Sequence, residues 1–315
     1  MRSSVARRSR TIWLLQGVLA LAVIVFVWRS AARHWDEFRS LEFAVRLRPG
    51  WIALAGAVVL VTYGLLVAAW RAVIRGWGER LAYRPALRIW TVSNLGRYLP
   101  GKVWSVAGLA VLAQREGVAA WAAVGAAVAM QAIAVGSGVA VAAATVPGTL
   151  STPGVVIAAA IAAATIAALA LPWVVGVVGK MTRRPDLRPL PVRAVVLAGA
   201  ATTVSWLAYG VGFWCLARGT LGDTSLGMAP AIGVFAAGYI TGLLALFAPG
   251  GVGVREAVFI ALLAPSVGSG GAIVLGVASR VLLTLTEVSA ALLAFVVGRD
   301  GPGAAGAGPA GPGAD

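Results

Sequence analysis

AAWAAVGAAVAMQAIAVGSGVAVAAAT, residues 119–145, holds no charged side chain and a single amide, Gln131. A run of this length is enough to cross a hydrocarbon layer of about 30 Å as a helix. Five further apolar runs lie at 11–28, 51–70, 153–178, 194–217 and 272–297. None alternates apolar with polar residues, as the short strands of a transmembrane barrel would. Inside lipid every backbone N–H and C=O needs a partner within its own segment, so six spanning helices are expected. The whole chain agrees with its central run: of 315 residues, 60% are apolar and 12% charged, with a mean hydropathy of +0.89. The expected fold class is therefore an all-α, polytopic integral membrane bundle over residues 1–298.

The segments between the runs fill out that picture. Run 11–28 follows four arginines but meets Arg29 without a small-residue cleavage site, so a retained helix is expected rather than a signal peptide. Residues 29–50 carry five arginines and three acids, with Trp35, Phe38, Leu41 and Val45 at helical spacing; an amphipathic interfacial helix is expected. The tail 299–315 is nearly all Gly, Ala and Pro and is expected to be disordered. Its Gly301, Gly303 and Gly306 match a dinucleotide fingerprint by composition alone, with no strand before them. The net charge of +15 sits mostly between apolar runs, which points to the membrane surface and away from nucleic acid. A lone Cys215 excludes an intrachain disulfide, and a lone His34 offers no metal set; no metal and no cofactor are expected.

Two stretches depart from plain spans: 85–114, centred on Asn94-Leu95-Gly96-Arg97-Tyr98-Leu99-Pro100-Gly101-Lys102-Val103-Trp104, and 230–264, centred on Pro249-Gly250-Gly251-Val252-Gly253-Val254-Arg255-Glu256. Each is apolar, broken midway by Pro-Gly, with charge at the break. Proline removes a helix hydrogen bond and glycine permits the turn, so Pro100, Gly101, Pro249, Gly250, Gly251 and Gly253 are expected to separate paired half-helices. If both stretches are re-entrant, sixteen basic residues fall on the cytoplasmic side, with both termini, and six outside, in accord with the positive-inside rule. The first hairpin then opens to the cytoplasm and the second to the outside. Interrupted segments in two inverted halves are the sequence mark of a transporter's midplane site.

Six ionisable residues fall within membrane segments: Arg97, Lys102, Arg255, Glu256, Arg280 and Glu287. Each costs about 2.5–3.5 kcal/mol or more at the bilayer centre, so such residues usually face an interior cavity. Arg280 and Glu287 lie two turns apart, too far to pair directly, and Glu256 suits Arg280 or Arg97 as a partner. Four cations beside two half-helix N-termini favour an anionic headgroup, and a glutamate suits an amino group or a proton. The plainer reading makes these charges internal ion pairs that hold the bundle. Gly96–Val103 fits a phosphate-loop pattern but places Val103 where Ser or Thr would hold magnesium. No catalytic set is visible, so an enzyme is not expected.

At these motifs the chain resembles the transmembrane, flippase-like region of the lysylphosphatidylglycerol synthase family. The matching residues are Gly96–Trp104 with Arg115-Glu116-Gly117-Val118 behind it, Pro249–Ala257, Arg280 and Trp70-Arg71, and the likeness runs from about Thr11 to Val297. The resemblance implies movement of an anionic or aminoacylated phospholipid, or a related lipid-linked substrate, between leaflets of a bacterial cytoplasmic membrane. Family members that make the lipid carry a soluble transferase domain after this region; the sequence ends at Asp315, and a stand-alone translocator is expected. The alternative is a membrane scaffold that partners a separate lipid-modifying enzyme.

Overall fold

The computed structural model describes residues 47–96, 103–146, 188–245, 251 and 253–297, with 156, 160, 163 and 164 besides. The expected span 11–28, nearly all of 153–178, the interfacial helix up to residue 46 and the tail 299–315 lie outside the described residues. Within them are seven helices and no strand: α1 (Pro49–Gly76), α2 (Tyr83–Leu95), α3 (Val103–Arg115), α4 (Ala120–Thr145), α5 (Val192–Thr220), α6 (Met228–Leu244) and α7 (Val254–Val297). Helices α1, α4, α5 and α7 are long and apolar enough to cross a membrane.

The expected spans 51–70, 119–145 and 194–217 return as α1, α4 and α5, with α1 and α5 longer than the apolar runs alone. Helix α1 continues through Arg71 and Arg75, because a long arginine stem lets the charge leave the apolar layer. Arg71 Nε donates to the Leu81 carbonyl at 2.8 Å, tying the helix end to the turn that follows. The last expected span, 272–297, begins a little earlier: Gly268, at φ 72 and ψ 163, divides α7 into arms 254–267 and 269–297.

Both interrupted stretches fold as antiparallel helix pairs. In the first, Gly96 meets the backbone of Ser105, and Gly108 meets Ser93. In the second, Gly242 faces Gly251, and Gly238 faces the Phe259 ring. Helices α2 and α3 have 13 residues each and α6 has 17, so at about 1.5 Å per residue each is shorter than the hydrocarbon layer.

The order long helix, short pair, long helix thus occurs twice: α1, α2–α3, α4, then α5, α6–α7 arm, α7 arm. The first members run antiparallel along their length. Arg48 N–H donates to the Gly219 carbonyl at 2.9 Å at one end, Gly212 faces Ala55 and Val59, and Gly76 meets Leu190 and Ala194 at the other. Helix association in lipid depends on close fit, since lipid tails are as apolar as leucine. Glycine supplies the fit where α4 makes room for Trp206 at Gly138 and α5 for Ile232 at Gly210. The two larger buried clusters among the described residues lie around Trp70, Ile89 and Ile133 and around Phe213, Phe235 and Phe259.

Candidate functional site

The second break is built from its glycines. Gly251 (φ +67) and Gly253 (φ +85) occupy the left-handed region, open to glycine without cost. A Cβ on Gly251 would stand 2.7 Å from the Gly242 Cα, so Gly251 and the end of α6 approach backbone to backbone. Glu256, in the first turn of α7, accepts the Gly253 N–H at 2.7 Å, closing one of the helix's open donors. Its carboxylate also pairs with Arg280 across the two arms of α7, through Nε and, at 3.3 Å, Nη2. Such a two-pronged arginine–carboxylate contact fixes geometry as well as charge. Gly276 leaves room for it, lying against the Glu256 Cγ.

Arg255 turns the other way and is 7% exposed. Its Nη2 donates to Ser279 Oγ at 2.9 Å, and its guanidinium carbon lies 5.3, 5.9 and 5.1 Å from the ring centres of Phe235, Tyr239 and Phe259. Its Nε has no hydrogen-bond partner among the described residues. An unmet buried donor costs about 1–3 kcal/mol. Cation–π attraction of about 0.5–2 kcal/mol per ring offsets it.

Beyond the Phe235 and Tyr239 rings lies a cavity of about 350 Å³. Helices α1, α2, α3, α4, α5, α6 and the second arm of α7 all contribute to its wall. Gln131 from α4, and Ser205 and Trp206 from α5, reach it from the middle of their helices, where a spanning helix crosses the bilayer centre. The Trp206 ring is fixed: Nε1 donates to the Ala134 carbonyl at 2.9 Å, and Tyr239 packs edge-on at 5.6 Å. Glu287, 7% exposed, is the one formally charged residue in the described lining.

Of the six ionisable candidates, Arg255, Glu256 and Arg280 meet at the α6–α7 break and are not among the described lining. Glu287 stands in the cavity wall. Arg97 and Lys102, with Pro100, Gly101, Pro249 and Gly250, lie outside the described residues. Sequence reasoning missed the uncharged lining, although its signal is present. Thr202, Ser205, Trp206 and Tyr209 recur at i, i+3, i+4 and i+7, one polar-aromatic face of an apolar helix.

The family described as the lysylphosphatidylglycerol synthase TM region matches residues 13–289. The chain belongs to that family. No curated protein matches it. Membership in the lysylphosphatidylglycerol synthase TM-region family gives the chain a membrane-lipid role, and the match covers both helix pairs and the cavity between them.

Proposed function

We propose that this protein translocates a lipid between leaflets, passing the headgroup through the cavity between its two helix pairs. One observation carries the reading: a mid-bundle cavity of about 350 Å³, walled by both halves and containing a glutamate. A carboxylate is costly in lipid, and such residues usually line a path for polar cargo. The antiparallel α1–α5 pair and the twofold order of elements support an inverted repeat with two re-entrant hairpins, the framework on which transporters open to alternate sides. The substrate is an anionic or aminoacylated phospholipid or a related lipid-linked molecule, and the protein acts as a transporter without covalent chemistry. Arg97 and Lys102 serve its phosphate, as two cations at the Pro-Gly centre of the first interrupted stretch. Arg255 and Arg280 supply further positive charge at the second break, and Glu256 holds Arg280 in place. The membrane is a bacterial cytoplasmic membrane with both termini inside, following the arginine distribution.

The test is mass spectrometry of co-purifying lipids together with leaflet movement in proteoliposomes, for the wild type and Glu287→Gln. One enriched lipid class, moved by the wild type and at least about tenfold more slowly by the variant, fits a carboxylate on the path. A lipid profile equal to the bulk membrane in both proteins, with no movement in either, overturns translocation and leaves the scaffold.

A further inference from the structure

We infer that the cavity opens sideways into the bilayer between α3 and α4, and that this mouth holds the glycerol–ester region of a diacyl lipid while its acyl chains stay outside. The inference rests on the translocation reading and gives it a path. Of the described residues that wall the cavity, only Val106, Val128 and Gln131 are exposed, and all three lie on α3 or α4. Val106 is 48% and Val128 63% exposed, whereas Ser205, Trp206 and Phe235 in the same wall are buried. Val106 stands eleven residues before Gly117, where the two helices join, and Val128 eleven after it. At about 1.5 Å per residue both are about 16 Å from the joint, near the middle of a hydrocarbon layer of about 30 Å. The joint end itself is shut, with Ala113, Val118 and Ala122 buried. Gln131, one turn beyond Val128, makes no hydrogen bond among the described residues. An amide left in hydrocarbon is costly, so its place at the mouth calls for a polar group that reaches the lipid. The ester region of a diacyl lipid is such a group: its carbonyls accept the amide N–H, and its chains pass between the two valines. The cavity's about 350 Å³ lies at the small end of ligand sites, which run from about 300 to 1,000 Å³, and leaves the chains in the bilayer. The corresponding gap, between the two arms of α7, is closed. Glu256 pairs with Arg280 across it, Gly276 lies against Glu256, and no residue of the first arm lines the cavity. Among the described residues the way in therefore runs between α3 and α4.

The experiment uses the full chain in proteoliposomes with short-chain fluorescent forms of phosphatidylglycerol, lysylphosphatidylglycerol and glucosyldiacylglycerol. Movement is read by back-extraction of the lipid to albumin. Val106→Cys and Val128→Cys are combined in a Cys215→Ala background and joined with a reducible bismaleimide. Joining should slow the lipid that the wild type moves fastest by about tenfold or more, and reduction should restore it, which misfolding would not allow. Val128→Trp should slow the same lipid where the cross-link does not form. Val61→Trp, at an exposed position of α1 outside the described lining, should leave it unchanged. Gln131→Leu should slow movement without lowering the melting temperature, since it removes an amide that no described residue answers. Movement indifferent to the cross-link and to Val128→Trp overturns the mouth and leaves translocation standing. No movement of any of the three lipids by the wild type overturns both.

Discussion

Glu256 sits where a helix start and an interhelix ion pair share one carboxylate. From sequence it suits Arg280 or Arg97 as a partner, or an amino group or proton as a ligand; the geometry gives it a holding role, bonded to Gly253 N–H at 2.7 Å and to Arg280. Glu256→Gln retains an acceptor for the Gly253 N–H and loses the charge. Unfolding in detergent should show a loss of about 1–3 kcal/mol, since the two-pronged contact with Arg280 loses its charge in a partly buried site. Arg280→Gln should cost a similar amount, and the double variant less than the two together by about 0.5–3 kcal/mol. Strict additivity would mean the pair is not coupled. The Glu256–Arg280 contact was legible in part beforehand, because opposite charges in apolar helices tend to meet, but the sequence offered Arg97 as a partner equally. The cavity's Gln131, Ser205 and Trp206 were not, because hydroxyl, amide and indole groups cost little in a spanning helix and leave the hydropathy of α4 and α5 high.

Breaks between helices depend on backbone shape more than on contacts. A Cβ on Gly268 would meet nothing within 4 Å, yet its φ of 72 and ψ of 163 lie where only glycine rests easily. Gly268→Ala should therefore destabilise the protein by about 1–3 kcal/mol without any clash, measured by thermal unfolding in detergent. A neutral result would mean that the two arms of α7 merge readily into one helix. The Pro-Gly centres made the two short pairs legible, since a missing hydrogen bond beside a permissive residue has no place inside a plain span. The exact join of α7 was less so, because Pro265 to Gly271 offers several small residues that could bear the turn. At the far end of the α1–α5 pair, Arg48 donates to Asp223 at 3.1 and 2.8 Å and holds that carboxyl below its usual range. A lowered pKa in the folded state means that the pair contributes stability above the ordinary carboxyl value of about 3.9 and loses it as pH falls through the lowered value. Melting temperatures of the wild type and Asp223→Asn should differ slightly at pH 7 and converge in acid. A gap that is constant with pH would mean Asp223 acts through packing instead.

Exchanging α1 with α5, α2 with α6, α3 with the first arm of α7 and α4 with the second arm maps the packing of the described helices onto itself. Helix α6 packs on α4 as α2 packs on α7, α5 packs on α6 as α1 packs on α2, and α1 meets its counterpart α5. The exchange also reaches single residues. Gly117, at φ +77, joins α3 to α4, and Gly268, at φ +72, joins the two arms of α7; both stand in open space. A pseudo-twofold axis lying in the membrane plane places these two joints on opposite faces of the bilayer, whereas an axis along the membrane normal places them on the same face. The antiparallel α1–α5 pair requires the first arrangement if both helices span. Single cysteines test it in a Cys215→Ala background: Glu116→Cys next to the first joint, which spares the left-handed Gly117, and Ser266→Cys next to the second. Both parent side chains are exposed. With both termini inside, as proposed, an impermeant maleimide applied to intact cells should label Ser266→Cys, and Glu116→Cys only once the membrane is opened. Labelling of both from one side would remove the inversion, and with it the physical reason for a cavity that opens to each leaflet in turn.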